Sequence, residues 1–300
     1  ENPGSIFLAT LFLGLFLWAA AVIPRPEAAW MKWICYVNYW VLGTMLVRMT
    51  GILVQSFLLT NTALWVILLW FYLFCYYDLY KGLECRLRVS EILFPFFLFL
   101  LLFLTLLMYG EVETDRLLEL GFSLERRQWV LGYELFCWLG AAGSLWHLRG
   151  QTEDVARFKQ TAGKIWLTGA GALLGFSAFS YTIYGHAGHT GLVYPVASAM
   201  TLAHFPGNVI GRLDALFIFA WVIGLFLLCS SLFAPLVDGE PDLRKKWVLF
   251  ALTALSFGVA CIPESMQWGQ RFLYLVLTPL QLILLFLQGI RGAKGSKKVT

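Results

Sequence analysis

The chain has 300 residues, of which 59% are hydrophobic and 13% are charged, and its formal net charge is +4. This composition is typical of a protein solvated by lipid, and no polar stretch is long enough to form a separate soluble domain. The small net charge gives no indication of nucleic-acid binding.

Hydrophobic segments long enough to cross a bilayer recur nine times along the chain. A membrane-spanning helix needs about 20 predominantly apolar residues, and each segment approaches that length. We therefore predict an all-α polytopic membrane protein with a single domain over residues 1–300. The predicted spans are residues 6–22, 33–57, 62–80, 92–109, 128–148, 164–184, 209–233, 247–262 and 272–290.

The basic residues predict the orientation of these spans. Of the 22 Lys and Arg residues, 16 fall in alternate connections or in the C-terminal tail, 4 fall on the opposite side and 2 lie within spans. Because loops rich in Lys and Arg stay in the cytoplasm, we expect the C-terminus to be cytoplasmic. Nine spans then place the first residue outside, and since the chain opens at Glu1 we expect one further span to precede it.

The second predicted span carries polar residues along one face. Thr44, Arg48, Gly51 and Gln55 follow i, i+4, i+7, i+11 spacing, which places them on the same side of a helix. A charge in hydrocarbon is costly, so this face must meet protein or water. Two readings stay open: Arg48 lines a ligand cavity, or it donates hydrogen bonds to carbonyls of a neighbouring helix.

A carboxylate and several glycines share the fifth predicted span, residues 128–148. Glu134 lies a short way into it, near Gly132, Gly140 and Gly143. Glycines in a membrane helix permit close packing, or an unwound stretch whose free backbone groups can bind a ligand. Glu134 can therefore be a ligand-binding carboxylate or a buried carboxylate that is paired only for stability.

Arg212 and Asp214 open the seventh predicted span. Residues two apart point in nearly opposite directions on a helix, so these two should not pair with each other. Arg212 can instead be solvated at the membrane interface. Because Arg48, Glu134 and Asp214 all fall in the outer half of their spans, we predict that Arg48 pairs with one of the two acids.

Other chemistry has little support in the sequence. His186 and His189 have the spacing of two metal ligands, but no third ligand lies nearby and we predict no metal site. The six cysteines show no CxxC spacing and should pack as small apolar residues. Asp78, near the cytoplasmic end of its span, is expected to face the lipid headgroups. No catalytic motif is present, so we predict neither an enzyme activity nor a cofactor.

Three blocks of the sequence resemble the B-subunit permeases of bacterial spore germinant receptors, within the amino acid/polyamine/organocation transporter superfamily. Residues 81–95, KGLECRLRVSEILFP, are similar to the family's Gly-Leu-Glu, Arg and Glu-Ile-Leu-Phe-Pro linker. Tyr194-Pro195 with residues 207–221, GNVIGRLDALFIFAW, is similar to its Tyr-Pro, Glu-Arg-x-Glu/Asp-x-Phe and Trp pattern, with Gly211 in place of the usual Glu. Residues 131–134, LGYE, are similar to its Gly-x-Glu step.

This resemblance implies the leucine-transporter-type fold, an inverted repeat of five plus five helices, with a first helix expected ahead of the nine spans. It also implies a multi-pass protein of the spore inner membrane that binds a small amino-acid-like ligand and signals to A and C receptor subunits. The alternatives are a secondary amino acid transporter coupled to a proton or cation and, more distantly, a membrane-embedded enzyme. The implied ligand-binding residues are Arg48, Gly51, Gln55, Gly132, Tyr133, Glu134 and Asp214, with structural or gating roles for Arg212 and Trp221.

Overall fold

The structure of the chain, a computed structural model, describes residues 3–23, 29–107, 113, 115–116, 125–143, 146, 154–191, 194–200, 213–237 and 242–296. Within these ranges the regular structure is entirely helical, as predicted. The α-helices are α1 (Pro3–Val22), α2 (Ala29–Phe57), α3 (Leu64–Lys81), α4 (Leu83–Leu107), α5 (Arg126–Leu139), α6 (Val155–Gly191), α7 (Pro195–Met200), α8 (Leu213–Val237), α9 (Asp242–Cys261), α10 (Ser265–Phe272) and α11 (Thr278–Ser296). A 3-10 segment (Gly140–Gly143) follows α5, and a π-helical segment (Leu273–Leu277) joins α10 to α11.

Among the described residues, five helical segments are long and apolar enough to cross a membrane. They coincide with the first, second, fourth, seventh and ninth predicted spans. The other four predicted spans fall on α3, α5, α6 and α9, so the count of nine stays a prediction, as does the inverted repeat. The five segments are Gly4–Val22, Ala29–Phe57, Leu83–Leu107, Ala215–Val237 and Ser265–Ile290.

The chain divides into two compact units, and the first contains residues 1–43, 122–174 and 266–300. Its centre is the packing of α1 along α5. The Phe136 ring lies 6.0 Å from the Phe12 ring and 6.1 Å from the Phe16 ring, centroid to centroid, in edge-on geometry. These apolar contacts hold α1 and α5 together through a continuous buried surface.

The second unit contains residues 44–121 and 175–265. Here α3 packs against α8 and α9, and α4 packs against α8. Tyr72 of α3 contacts both neighbours, since its ring centroid lies 6.5 Å from that of Phe233 and 6.2 Å from that of Phe257. A buried apolar cluster joins the other elements of the unit, and it includes Leu53, Leu100, Leu104, Ala199, Phe217 and Ile218.

Helix ends that the charge pattern predicts on one side of the membrane lie together within the second unit. Lys246 Nζ, in the first turn of α9, is 5.7 Å from the centroid of the Tyr80 ring near the end of α3. A second contact joins two segments that are predicted on the outer side of the membrane: Arg116 donates a hydrogen bond to the carbonyl of Ile183, near the Gly185 kink of α6. These contacts agree with helices that alternate in direction, whereas the side that faces the cytoplasm stays a prediction.

Asp78, near the end of α3, corrects one expectation. The sequence predicts that it faces headgroups, but its side chain is only 5% exposed. Its Oδ2 accepts a hydrogen bond from the Ser230 hydroxyl of α8. Because α3 packs against both α8 and α9, this face of α3 meets protein up to the helix end, so the prediction was wrong.

Candidate functional site

The predicted polar face of α2 meets protein in the second unit. Arg48 is 7% exposed, and its Nη2 donates to the carbonyl of Pro263 at 3.0 Å while its Nη1 donates to the carbonyl of Ala260. Ala260 lies in the last turn of α9, where carbonyls lack partners within the helix and the helix dipole favours a cation. The guanidinium therefore caps α9, which is the carbonyl-bonded arrangement left open by the sequence.

Gln55 and Gly51 position the end of α2 against α3. Gln55 Nε2 donates to the carbonyl of Thr62 at 2.9 Å and so holds the turn between the two helices. A Cβ atom at Gly51 would lie 2.8 Å from Leu68 Cδ2 and 3.0 Å from Leu64 Cδ1. Gly51 thus leaves space that the ends of two leucine side chains of α3 occupy, and its predicted contact with a ligand stays a prediction.

A cavity of about 410 Å³ adjoins Gly51 in the second unit. Its wall is mainly apolar, with the hydroxyl groups of Thr50 and Thr62 as exceptions, and the Thr50 hydroxyl already donates to the carbonyl of Leu46. Such a lining suits an apolar group. The cavity is lined by Val47, Thr50, Gly51, Val54, Leu59, Thr62, Val66, Ile67, Leu68, Trp70, Phe71, Phe74 and Val222.

The predicted residues of α8 are only partly described. Asp214 lies in the first turn of the helix and its side chain is outside the described residues, as is the whole of Arg212. Trp221 packs in the apolar cluster of the second unit, with its ring centroid 6.0 Å from that of Phe217. Its indole N–H is buried and has no acceptor among the described residues, so Trp221 contributes packing together with one unsatisfied donor.

The LGYE block lies on α5 in the first unit, and its three predicted residues have different surroundings. A Cβ atom at Gly132 would lie 2.8 Å from Leu8 Cβ and 3.0 Å from the carbonyl oxygen of Ser5, so this glycine permits close packing on α1. The Tyr133 hydroxyl donates to the carbonyl of Tyr274, in the π-helical segment, at 2.8 Å. Glu134 is half-buried, and no ion pair to it is found in the part of the chain that the structure describes.

A second cavity, of about 330 Å³, lies in the first unit beside Tyr133. It is almost entirely apolar, and Tyr133 is the residue of the LGYE block that lines it. Glu134 is the next residue of α5 but is not among the residues that line the cavity, since consecutive residues of a helix point about 100° apart. The apolar space suits the apolar part of a small molecule. The lining residues are Phe12, Leu15, Phe16, Ala19, Tyr133, Phe136, Leu282 and Leu285.

After Leu139, α5 gives way to the 3-10 segment, so the helix geometry changes within the fifth predicted span. At Gly143 this segment meets buried polar side chains of α2 and α11. The Tyr39 hydroxyl donates to the carbonyl of Gly143 at 2.7 Å, and Asn38 Nδ2 donates to Gln281 Oε1. We call Asn38, Tyr39, Gly143 and Gln281 the amide cluster.

Sequence reasoning missed Asn38 and Gln281, although a signal for them was present. Both are polar residues inside predicted spans, which is the criterion that selected Arg48. They are uncharged, so a search for residues whose charge would be costly to bury in a membrane does not select them. Gln281 also shares one face of α11 with the buried Thr278 and Gln288, at i, i+3 and i+10 spacing.

The predicted site residues thus fall into both units. Arg48, Gly51 and Gln55 lie together in the second unit along α2, and Gly132, Tyr133 and Glu134 lie together in the first unit on α5. The pairing of Arg48 with an acidic residue stays a prediction.

Comparison with known proteins supports the resemblance found in the sequence. Residues 29–120, which contain α2, α3 and α4, match the family model of spore permeases, described as spore germination protein. The match contains the first similar block, residues 81–95, whereas the other two blocks lie beyond it. No curated protein and no solved structure matches the chain. Residues 29–120 are thus similar to spore germination proteins, and the five apolar helical segments found among the described residues indicate a multi-pass membrane protein.

Proposed function

We propose that this chain is the membrane-embedded B-type subunit of a spore germinant receptor, which binds a small amino-acid-like molecule and transmits a conformational change to partner subunits. The observation that carries the proposal is the match of residues 29–120 to spore germination permeases. The apolar helices support a location in the spore inner membrane, with the basic C-terminal tail in the cytoplasm. The proposed partners are the A and C subunits of the receptor, and no catalytic step is involved.

The cavity beside Tyr133 is the proposed ligand site. Its apolar wall would surround the side chain of an amino acid, and Glu134 would bind the ammonium group. A half-buried carboxylate favours a cationic partner because its own charge is poorly solvated. The 3-10 segment that follows α5 is joined to α2 and α11 through the amide cluster, so a ligand-induced shift of α5 would be transmitted to those helices.

A secondary amino acid transporter is the second candidate, and the permease family match favours it as well. The two functions use the same ligand site and differ in the step after binding. Coupling to a proton or a cation would move the ligand across the membrane, whereas a receptor would bind it and signal. The two are therefore distinguished by solute flux.

Ligand binding is tested first with purified protein. We expect L-amino acids to raise the melting temperature of the wild-type protein and to lose this effect in Glu134→Gln. Glu125→Gln is the matched control, because Glu125 is exposed and precedes the same helix without capping it through its side chain. An equal response of both variants would reject Glu134 as the ammonium-binding group, and the absence of any response in the wild type would reject the proposed function.

Flux is tested after reconstitution of the chain alone into liposomes. A receptor subunit should bind labelled amino acid without moving it into the vesicle. Accumulation of label that depends on a proton or cation gradient would favour the transporter.

A further inference from the structure

The amide cluster contains a donor and an acceptor that no described residue of the chain uses. Asn38 is 1% exposed and Gln281 is 2% exposed. Their side chains form one hydrogen bond with each other, which leaves Asn38 Oδ1 and Gln281 Nε2 buried without a partner among the described residues. A buried donor or acceptor without a partner is destabilising, so a further group that forms hydrogen bonds with these two atoms would stabilise the protein.

The two amides leave the same kinds of atoms without a partner whichever way each amide is oriented. The oxygen and nitrogen of a carboxamide can be exchanged by a rotation that leaves the shape unchanged. If both amides are rotated, the pair again forms one hydrogen bond, and one amide nitrogen and one amide oxygen again form none. The atoms without a bond among the described residues are therefore one nitrogen donor and one oxygen acceptor in either assignment.

The glycine at 143 brings backbone to the same place. A Cβ atom there would lie 2.6 Å from Gln281 Nε2 and 3.2 Å from Tyr39 Cε1, so a larger residue would displace both side chains. The carbonyl of Gly143 accepts one bond, from Tyr39, and a carbonyl oxygen has a second lone pair. Three segments of the first unit therefore direct polar groups to one point.

We infer that the amide cluster binds a neutral group that both donates and accepts hydrogen bonds: a water molecule, or the hydroxyl or carboxamide of a small solute. A cation would be opposed by the N–H of Gln281, and an anion would be opposed by the oxygen of Asn38. Water and such solutes satisfy both atoms at once. The solute form of the inference rests on the proposed function, whereas the water form does not.

The amide cluster adjoins the 330 Å³ cavity through Phe16, although none of the four cluster residues lines that cavity. Phe16 lies 3.6 Å from the Cβ position of Gly143, and Phe16 also lines the 330 Å³ cavity. Leu282, which follows Gln281 in α11, lines the same cavity. In the solute form, an apolar portion of the solute would occupy the cavity and its neutral polar group would have to pass Phe16 to reach the two amides.

The solute form is tested with two nearly isosteric probes. Purified protein is titrated with L-glutamine and with L-glutamate, and binding is measured by thermal stabilisation and calorimetry. We expect glutamine to bind at least about tenfold more tightly, because a carboxylate cannot donate to Asn38. Gln281→Leu should abolish this preference. Gln288→Leu should retain it, since Gln288 is a buried glutamine on the same helix that donates to Met31 Sδ instead.

The water form is tested by an experimental structure of the wild-type protein at a resolution that shows ordered water. Density within hydrogen-bond distance of both Asn38 and Gln281, without added amino acid, identifies water as the ligand and supports the inference even if no amino acid binds. The inference is overturned if the site is empty in that structure and glutamine shows no preference over glutamate. A failure of the proposed function alone would leave the water density in place.

Discussion

Gly132 allows α1 and α5 to pack at a distance that a side chain would prevent, and Gly132→Ala should therefore destabilise the first unit. The added Cβ would lie 2.8 Å from Leu8 Cβ and 3.0 Å from the Ser5 carbonyl oxygen. Neither atom is the end of a flexible side chain, so the backbones of the two helices must separate. Overpacking of this kind costs about 1–3 kcal/mol. Replacing glycine by alanine within a helix recovers about 1 kcal/mol, which offsets part of the cost.

Gly140→Ala is the matched control, because its added Cβ would meet only Leu42 Cδ2, at 4.0 Å. Both variants replace glycine by alanine, so the gain in helix propensity is nearly the same in each. The difference between their melting temperatures therefore measures the contact of residue 132 with α1. At about 2–4 °C per kcal/mol, a cost of about 1–3 kcal/mol means that Gly132→Ala should melt about 2–12 °C below Gly140→Ala. The assay is thermal unfolding of detergent-solubilised protein followed by size-exclusion fluorescence. Equal melting temperatures, or a higher one for Gly132→Ala, would refute the close contact.

Three further predictions concern the other contacts and the topology. Arg48→Gln should lower the melting temperature, because each charge-assisted bond to the carbonyls of Ala260 and Pro263 contributes about 1.5–3 kcal/mol. If a second substitution that neutralises an acidic residue restores the melting temperature of Arg48→Gln, the ion pair predicted from the sequence is present instead. Tyr133→Phe should destabilise the protein by about 1 kcal/mol through loss of its bond to the Tyr274 carbonyl, and an unchanged melting temperature would contradict that bond. Single cysteines in place of Lys245 and Glu113 should be labelled from the cytoplasm and from outside, respectively, and labelling of both from one side would contradict the alternating topology.

Part of the candidate site could be predicted because it depends on local sequence. The helical spacing of Thr44, Arg48, Gly51 and Gln55 placed them on one face of α2, and the structure shows Arg48, Gly51 and Gln55 contacting neighbouring elements of the second unit. The glycines of the fifth span likewise indicated a change in helix geometry, which occurs at Gly140–Gly143. These features follow from residue type and spacing along one helix.

The partners of the polar residues could not be predicted in the same way. Arg48 donates to backbone carbonyls at and just beyond the end of α9, and a carbonyl is present at every residue, so no residue type marks the acceptor. Asp78 was expected at headgroups because it lies near a helix end, but the packing of α3 against α8 and α9 buries it. A residue's depth along its own helix therefore does not give the direction in which it faces.

The sequence by itself determined that the chain is helical and apolar, since about 20 apolar residues in a row are needed to cross a bilayer and such runs can be read directly. It also indicated the relation to spore germination permeases, which the match over residues 29–120 supports. Only the tertiary structure decided that Asn38 meets Gln281, 243 residues away, and that Gly132 packs on α1. Hydropathy is a property of each segment, whereas the choice of partner depends on how distant segments pack, and that choice leaves no periodic signal in the chain.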